Sequence, residues 1–180
     1  QCYRFDRQWE KAITTHEAGE TVAFNLGDEL ELAKAHLRLS QVYWAMREYD
    51  LCEEYGETAE AEFRTIPDPD PGLVGALTTI LGLLFYGRGD HEKAIKKLNQ
   101  AVDIYRGMQQ PALLGRSLMN LALSLEASGN ADAALPLYED ALAELNDIEY
   151  ELDKIRVELS LGTLHINAGR LKEAEAAFSR

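Results

Sequence analysis

Cysteine is almost absent from this 180-residue chain: Cys2 and Cys52 stand 50 residues apart, with no Cys-x-x-Cys and no histidine at metal-ligand spacing. That excludes a disulfide scaffold and a zinc site, and it predicts two reduced thiols in a cytoplasmic protein. Long apolar runs are missing too. No stretch approaches the roughly 18 uninterrupted apolar residues that mark a membrane helix, and no signal-peptide pattern opens the chain. Positive charge is short, with 18 Lys+Arg against 31 Asp+Glu and a net charge of −13, so a nucleic-acid backbone is excluded as the main partner. Hydrophobic residues at 46% and charged residues at 27% describe a chain that buries a core, not a disordered acidic tail.

What the sequence has instead is repetition. The segments Trp9-Glu10-Lys11-Ala12-Ile13, Tyr49-Asp50-Leu51-Cys52, His91-Glu92-Lys93-Ala94-Ile95, Ala131-Asp132-Ala133-Ala134-Leu135 and Leu171-Lys172-Glu173-Ala174 align on a small residue, at spacings of 40, 42, 40 and 40. Upstream, Leu81-Gly82-x-x-Phe85-x-x-x-Gly89 matches Leu121-Ala122-x-x-Leu125-x-x-x-Gly129 and Leu161-Gly162-x-x-His165-x-x-x-Gly169. Leu39-Ser40-x-x-Tyr43 is the same element, with Arg47 in place of the glycine. Apolar residues Leu73, Leu77, Leu81, Leu84 and Phe85 follow helical spacing, as do Ala94, Ile95, Leu98, Ala101, Val102 and Tyr105. Gly89 can end one helix in a left-handed conformation, and Asp90 can cap the next. Small residues at both alignment points let two helices approach closely, and a pair so formed must stack on its neighbours to bury its other face.

This pattern resembles the tetratricopeptide repeat, whose signature runs Leu-Gly-x-x-Tyr and then a small residue. The period of 40 residues exceeds that family's usual value of about 34 and is similar to the repeats of kinesin light chains, spindle-orientation adaptors and the sensor regions of some bacterial transcription activators. The resemblance implies an all-α fold, a right-handed superhelical solenoid of antiparallel helix pairs. One array covers 1–180: a partial repeat at 1–25, repeats at 30–66, 73–110 and 113–148, and a partial repeat at 151–180. The predicted helices are 7–25, 30–46 with 49–65, 73–88 with 91–107, 113–128 with 131–147, and 151–168 with 171–180. Gln1 is not an initiator Met and Arg180 falls within a periodic segment, so the chain reads as a piece of a longer protein. Ends cut inside repeats should leave Tyr3, Phe5, Trp9 and Ile13, and Leu171, Ala174 and Phe178, poorly covered and open to end-to-end self-association.

The breaks in the pattern carry no chemistry. Ile66-Pro67-Asp68-Pro69-Asp70-Pro71-Gly72 reads as an extended connection between repeats, and Thr79 stands where a calcium loop would need its last glutamate. Pro136, inside a predicted helix, reads as a tolerated proline near the helix start. Gly82-x-x-x-x-Gly87-Arg88 lacks the Lys-Ser/Thr pair of a phosphate loop. No nucleophile, base or carboxylate pair forms a catalytic constellation, so neither enzyme activity nor a cofactor nor a metal is expected.

Function is therefore expected on a surface. In the family the first helices of successive pairs line a concave face, which implies a non-catalytic scaffold for a protein or peptide. The alternative is a ligand-sensing regulatory module of a larger bacterial signalling protein or transcription activator. The face one helical step from the repeat signature carries Lys34, Arg38, Gln41, Trp44, Thr79, Leu83 and Tyr86, then Arg116, Asn120, Leu123, Arg156, Ser160, Thr163 and Asn167. Asn120 matches the groove asparagine with which peptide-binding members of the family hold a ligand backbone; Arg38, Ile80 and Ser160 replace it in the other repeats. Lys34, Arg38, Arg116 and Arg156 give this face four cations and, apart from neighbouring Glu126, few acids, which predicts an acidic or C-terminal-carboxylate peptide as the partner.

Overall fold

The computed structural model describes the backbone of residues 2–146 and 150–179, and side chains from Gln8 onward within those ranges. Every regular element among the described residues is a helix: α1 Cys2–Leu26, α2 Glu29–Met46, α3 Tyr49–Thr65, α4 Pro71–Arg88, α5 His91–Met108, α6 Pro111–Ala127, α7 Ala131–Glu144, α8 Glu151–Asn167 and α9 Leu171–Phe178. The all-helical, helix-pair fold expected from the repeats is thus the one observed. The chain divides into two compact units, Gln1–Leu84 and Phe85–Arg180, with the division falling inside α4.

The turns show why the helices end where they do. After α2, α4, α6 and α8 the chain closes with one bonding pattern: the first residue of the turn in the left-handed region donates to a carbonyl three back, and the next residue to one five back. Thus Gly89 N donates to Tyr86 O at 3.0 Å and Asp90 N to Phe85 O at 2.9 Å, and Asn130 N reaches Leu125 O and Arg170 N reaches His165 O in the same way. The aromatic column of the repeat therefore supplies the carbonyl that stops the helix. Arg47 takes that conformation without being glycine, with φ 63°. Asp28 and Asp90 then cap α2 and α5, their Oδ1 atoms accepting from Glu31 N at 3.0 Å and Lys93 N at 3.2 Å.

The small column packs as the alignment requires. Cys52, Ala94, Ala134 and Ala174 are at most 3% exposed. In the first unit α2 packs on both α1 and α3, and Ser40 Oγ donates to Cys52 O at 2.8 Å at the tightest point of α2 and α3. In the second unit α6 packs on α5 and α7, and α8 on α7 and α9. One apolar cluster runs through it, from Leu98 and Tyr105 through Leu114, Leu118 and Tyr138 to Val157, Leu164 and Ala177.

Some expectations are corrected. Helix α1 starts at Cys2, earlier than the predicted 7, and α4 opens at Pro71, inside the predicted linker and before the predicted 73, because a proline costs no bond at a first helical position. Residue 147, where the seventh helix was predicted to end, lies outside the described residues. Helix α4 is long and apolar enough to cross a membrane, with a mean hydropathy of 1.2 over Pro71–Arg88. Gly72, Thr78, Thr79 and Gly82 interrupt its apolar run without lowering the mean enough. Its large side chains are spent on the protein core, Leu77, Ile80, Leu81 and Leu84 being at most 8% exposed. Ala174, expected to be poorly covered, is buried against α8, and Trp9 and Ile13 are half-buried, whereas Leu171 and Phe178 are exposed. The side chains of Tyr3 and Phe5 lie outside the described residues.

Candidate functional site

In the first unit the groove residues predicted from the sequence lie on α2 and α4. Lys34, half-buried, bonds Glu31 Oε1 at 2.7 Å. Arg38 and Gln41 are exposed, and Trp44, Thr79 and Leu83 are half-buried, with Thr79 Oγ1 donating to Gly75 O at 2.8 Å. Arg38 has no carboxylate partner among the described residues. Burial, and then this guanidinium, hold the His16 imidazole below its ordinary pKa.

The first unit also contains a feature that the repeat alignment passes over. His36 on α2, 7% exposed, places Nδ1 2.7 Å from Glu62 Oε2 on α3 and Nε2 3.4 Å from Glu20 Oε1 on α1. Its ring lies 5.9 Å from that of Tyr55, which stacks on Tyr43 at 5.4 Å. One imidazole thus ties three helices. Its buried register on α2 could have been read from the spacing to Leu39 and Tyr43, but neither glutamate could.

In the second unit the predicted residues do converge. Tyr86 from α4, Leu123 from α6, and Ser160 and Thr163 from α8 line one open cleft of about 430 Å³ with Glu126 and Ala127. Three successive first helices therefore contribute to one concave surface. Glu126, which the sequence reading treated only as a neighbour, occupies it. Asn167 Nδ2 donates to Glu126 Oε1 at 3.4 Å, and the Tyr138 hydroxyl donates to Glu126 Oε2 at 3.3 Å. Burial first, and the Glu126 carboxylate second, push the Tyr138 phenol far above its ordinary pKa, so it remains a neutral donor. Ser160 and Thr163 give their hydroxyl protons to Arg156 O at 3.0 Å and Leu159 O at 2.8 Å on their own helix. Asn120 is half-buried on α6.

The cations do not form the unopposed patch that the sequence suggested. Arg116 Nε lies 2.8 Å from Asp153 Oδ2, and Arg156 Nη1 lies 4.0 Å from Asp153 Oδ1. Asp153, one repeat beyond Arg116 and three residues before Arg156 on α8, faces both arginines, and Lys34 is paired with Glu31 on its own helix. Alignment by columns hid the Arg116 pair because its partner sits in a different column of the next repeat, whereas the other two pairs lie three residues apart on one helix.

Beside this face α8 exposes Leu152, Ile155, Leu159 and Ile166, which follow helical spacing into one apolar stripe. Val22, Phe24 and Leu26 are likewise exposed on α1.

Helix pairs repeated at a period of 40 residues, with tight left-handed turns inside each pair and small residues between the helices, define an all-α helical-repeat protein. The tetratricopeptide repeat matches residues 31–107 and again 117–149. The chain belongs to the tetratricopeptide repeat family. It is 25% identical over 138 residues to the regulatory protein RapG of Bacillus subtilis (strain 168), a match that covers 77% of this chain and 38% of RapG. Among solved structures it is similar to aspartyl phosphate phosphatase F from Bacillus subtilis, with a TM-score of 0.85 at 18% identity over 98% of this chain and 47% of that one. The Rap conjugation gene regulator of the plasmid pLS20, in complex with the Phr* peptide, matches with a TM-score of 0.71 at 22% identity over 84% of this chain and 43% of that one. These structural likenesses concern the fold.

Proposed function

We propose that this chain is a non-catalytic peptide-binding scaffold whose concave face holds an extended segment of a partner. The observation that carries the reading is the cleft of the second unit. Side chains from α4, α6 and α8, chosen by register alone, meet there in a volume within the range of about 300–1,000 Å³ usual for ligand clefts. Asn120 and Arg116 on α6, with Arg156 and Asn167 on α8, extend the same register and would flank a bound chain. In the first unit Lys34, Arg38, Gln41, Trp44, Thr79 and Leu83 hold the corresponding register on α2 and α4. The peptide complex of the plasmid-encoded Rap regulator supports the same use of the fold. Cytoplasmic location is part of this reading.

A regulatory role is the second reading, supported by the similarity to RapG: peptide binding would switch the activity of a longer protein. The likeness to a structure called a phosphatase does not by itself argue for catalysis here. The Ser160 and Thr163 hydroxyls are committed to backbone carbonyls, and no imidazole lines the cleft to activate them. The exposed stripe on α8 further supports association of copies through their ends, which sedimentation at increasing concentration would reveal.

The test of the scaffold reading is fluorescence anisotropy with peptides selected from a phage-displayed random library on the whole chain. Binding that disappears on changing Tyr86→Ala and Asn120→Ala together, in a variant with unchanged helicity, supports the face. Unchanged affinity places the binding elsewhere.

A further inference from the structure

We propose that the second-unit cleft is a seat for a cationic side chain of the bound peptide, an arginine ahead of a lysine, with Glu126 as its counter-ion. The proposal rests on the peptide-binding reading and replaces the acidic ligand expected from the sequence with one of opposite charge.

The argument is one of charge accounting within a single unit. Arg116 is already held by Asp153 at 2.8 Å, so an incoming carboxylate would have to compete with that partner, and Arg156 lies 4.0 Å from the same aspartate. Glu126 is in the reverse position. It is half-buried beside Tyr86 and Leu123, and no lysine or arginine lines the cleft with it. Its two hydrogen bonds come from a phenol and an amide, neither of which carries charge, and both are long, at 3.3 and 3.4 Å. A carboxylate offers about four lone-pair sites, so acceptor capacity remains. The two donors aim the group without neutralising it, and the Tyr138 hydroxyl cannot become a competing anion because its ionisation is pushed far upward.

An uncompensated carboxylate on a partly apolar surface gains most from a cation that brings its own donors. A guanidinium meets both demands of this cleft: its planar fork donates to the carboxylate, and its face can lie on the Tyr86 ring. An ammonium meets only the first. The net charge of −13 would steer such a ligand in and repel an acidic one.

The experiment selects phage-displayed heptapeptides on the intact chain and measures each synthetic peptide by fluorescence anisotropy. Enrichment of arginine at one position is expected, and replacing it by citrulline should weaken binding about tenfold or more, because a charge-assisted bond is lost while size is kept. Glu126→Gln should weaken the arginine peptide similarly and leave the citrulline peptide unaffected. Glu126→Arg should transfer preference to a peptide with glutamate at that position. The citrulline arm uses the unaltered protein, so it stands even if a variant folds poorly. Peptides that bind but show no cation preference, or that bind Glu126→Gln equally well, overturn this inference and leave the scaffold reading intact. Selection of no peptide at all overturns both.

Discussion

The two units solve the same packing problem with different materials. Residues 1–84 join three helices through a buried imidazole held by two carboxylates, and through a serine bonded to a backbone carbonyl at the small-residue contact. Residues 85–180 rely on a continuous apolar cluster in which Tyr138, fully buried, contributes one hydroxyl to the cleft. Polar links are directional and respond to protons; apolar contacts respond to volume. The units should therefore fail under different insults.

The largest effect is expected in the second unit. Leu118→Ala removes a side chain 2% exposed in the middle of the apolar cluster and should cost about 2–5 kcal/mol, read as a lower denaturation midpoint. Native-state hydrogen exchange should show α6 to α8 opening first, and a loss confined to α1–α3 would break the comparison. Next comes overpacking at Gly115. A methyl there would sit 2.6 Å from Leu145 Cγ, a branching carbon that cannot swing aside. Gly115→Ala should destabilise by about 1–3 kcal/mol despite the better helix propensity of alanine. A stabilised variant would mean that Leu145 repacks freely.

In the first unit His36→Ala should cost about 1–2 kcal/mol and free α1 before α3, since Glu20 loses its link and Glu62 a bond of 2.7 Å. Protection of α1 unchanged by this substitution would deny the imidazole its role as a tie. The smallest effect concerns acid. His16 has a folded pKa lowered by burial and by Arg38, so the unfolded chain binds the proton more readily. That contribution is intact above the unfolded value of about 6.5 and is lost as pH falls from there through the folded value. The stability of the native chain relative to His16→Gln should therefore fall as pH falls from about 7 to about 5. A constant difference would remove His16 from the comparison.

Much of the fold was legible because each repeat signature states a local rule: a small residue where helices meet, a left-handed residue where one stops. Those rules, read from the aligned repeats, placed Gly89, Gly129, Ala94 and Ala134 correctly. The site was less legible, because its decisive contacts cross from one repeat to the next. Arg116 meets Asp153 37 residues on, and Glu126 meets Asn167 41 residues on. A column-by-column alignment treats such residues as independent, so neither the Arg116–Asp153 pair nor the Glu126–Asn167 bond could be read from it. Tyr86, Leu123, Ser160 and Thr163 were found because helical register alone carries a side chain to a face.

The turns inside the pairs and the connection between α3 and α4 have different histories open to them. Inside a pair, two successive amides are already committed to fixed carbonyls, as at Gly89 and Asp90, and an inserted residue would unravel both bonds. Asp70 leads into α4, its Oδ1 accepting from Gly72 N at 2.7 Å, but residues 66–69 carry no such bonds: they form no helix, they hold two prolines, and Asp68 adopts φ 51° without a glycine. Insertions, tags or a protease site are best accepted there. The single 42-residue spacing among 40-residue ones falls across this connection, so the repeats have absorbed a difference in length there and not inside a pair.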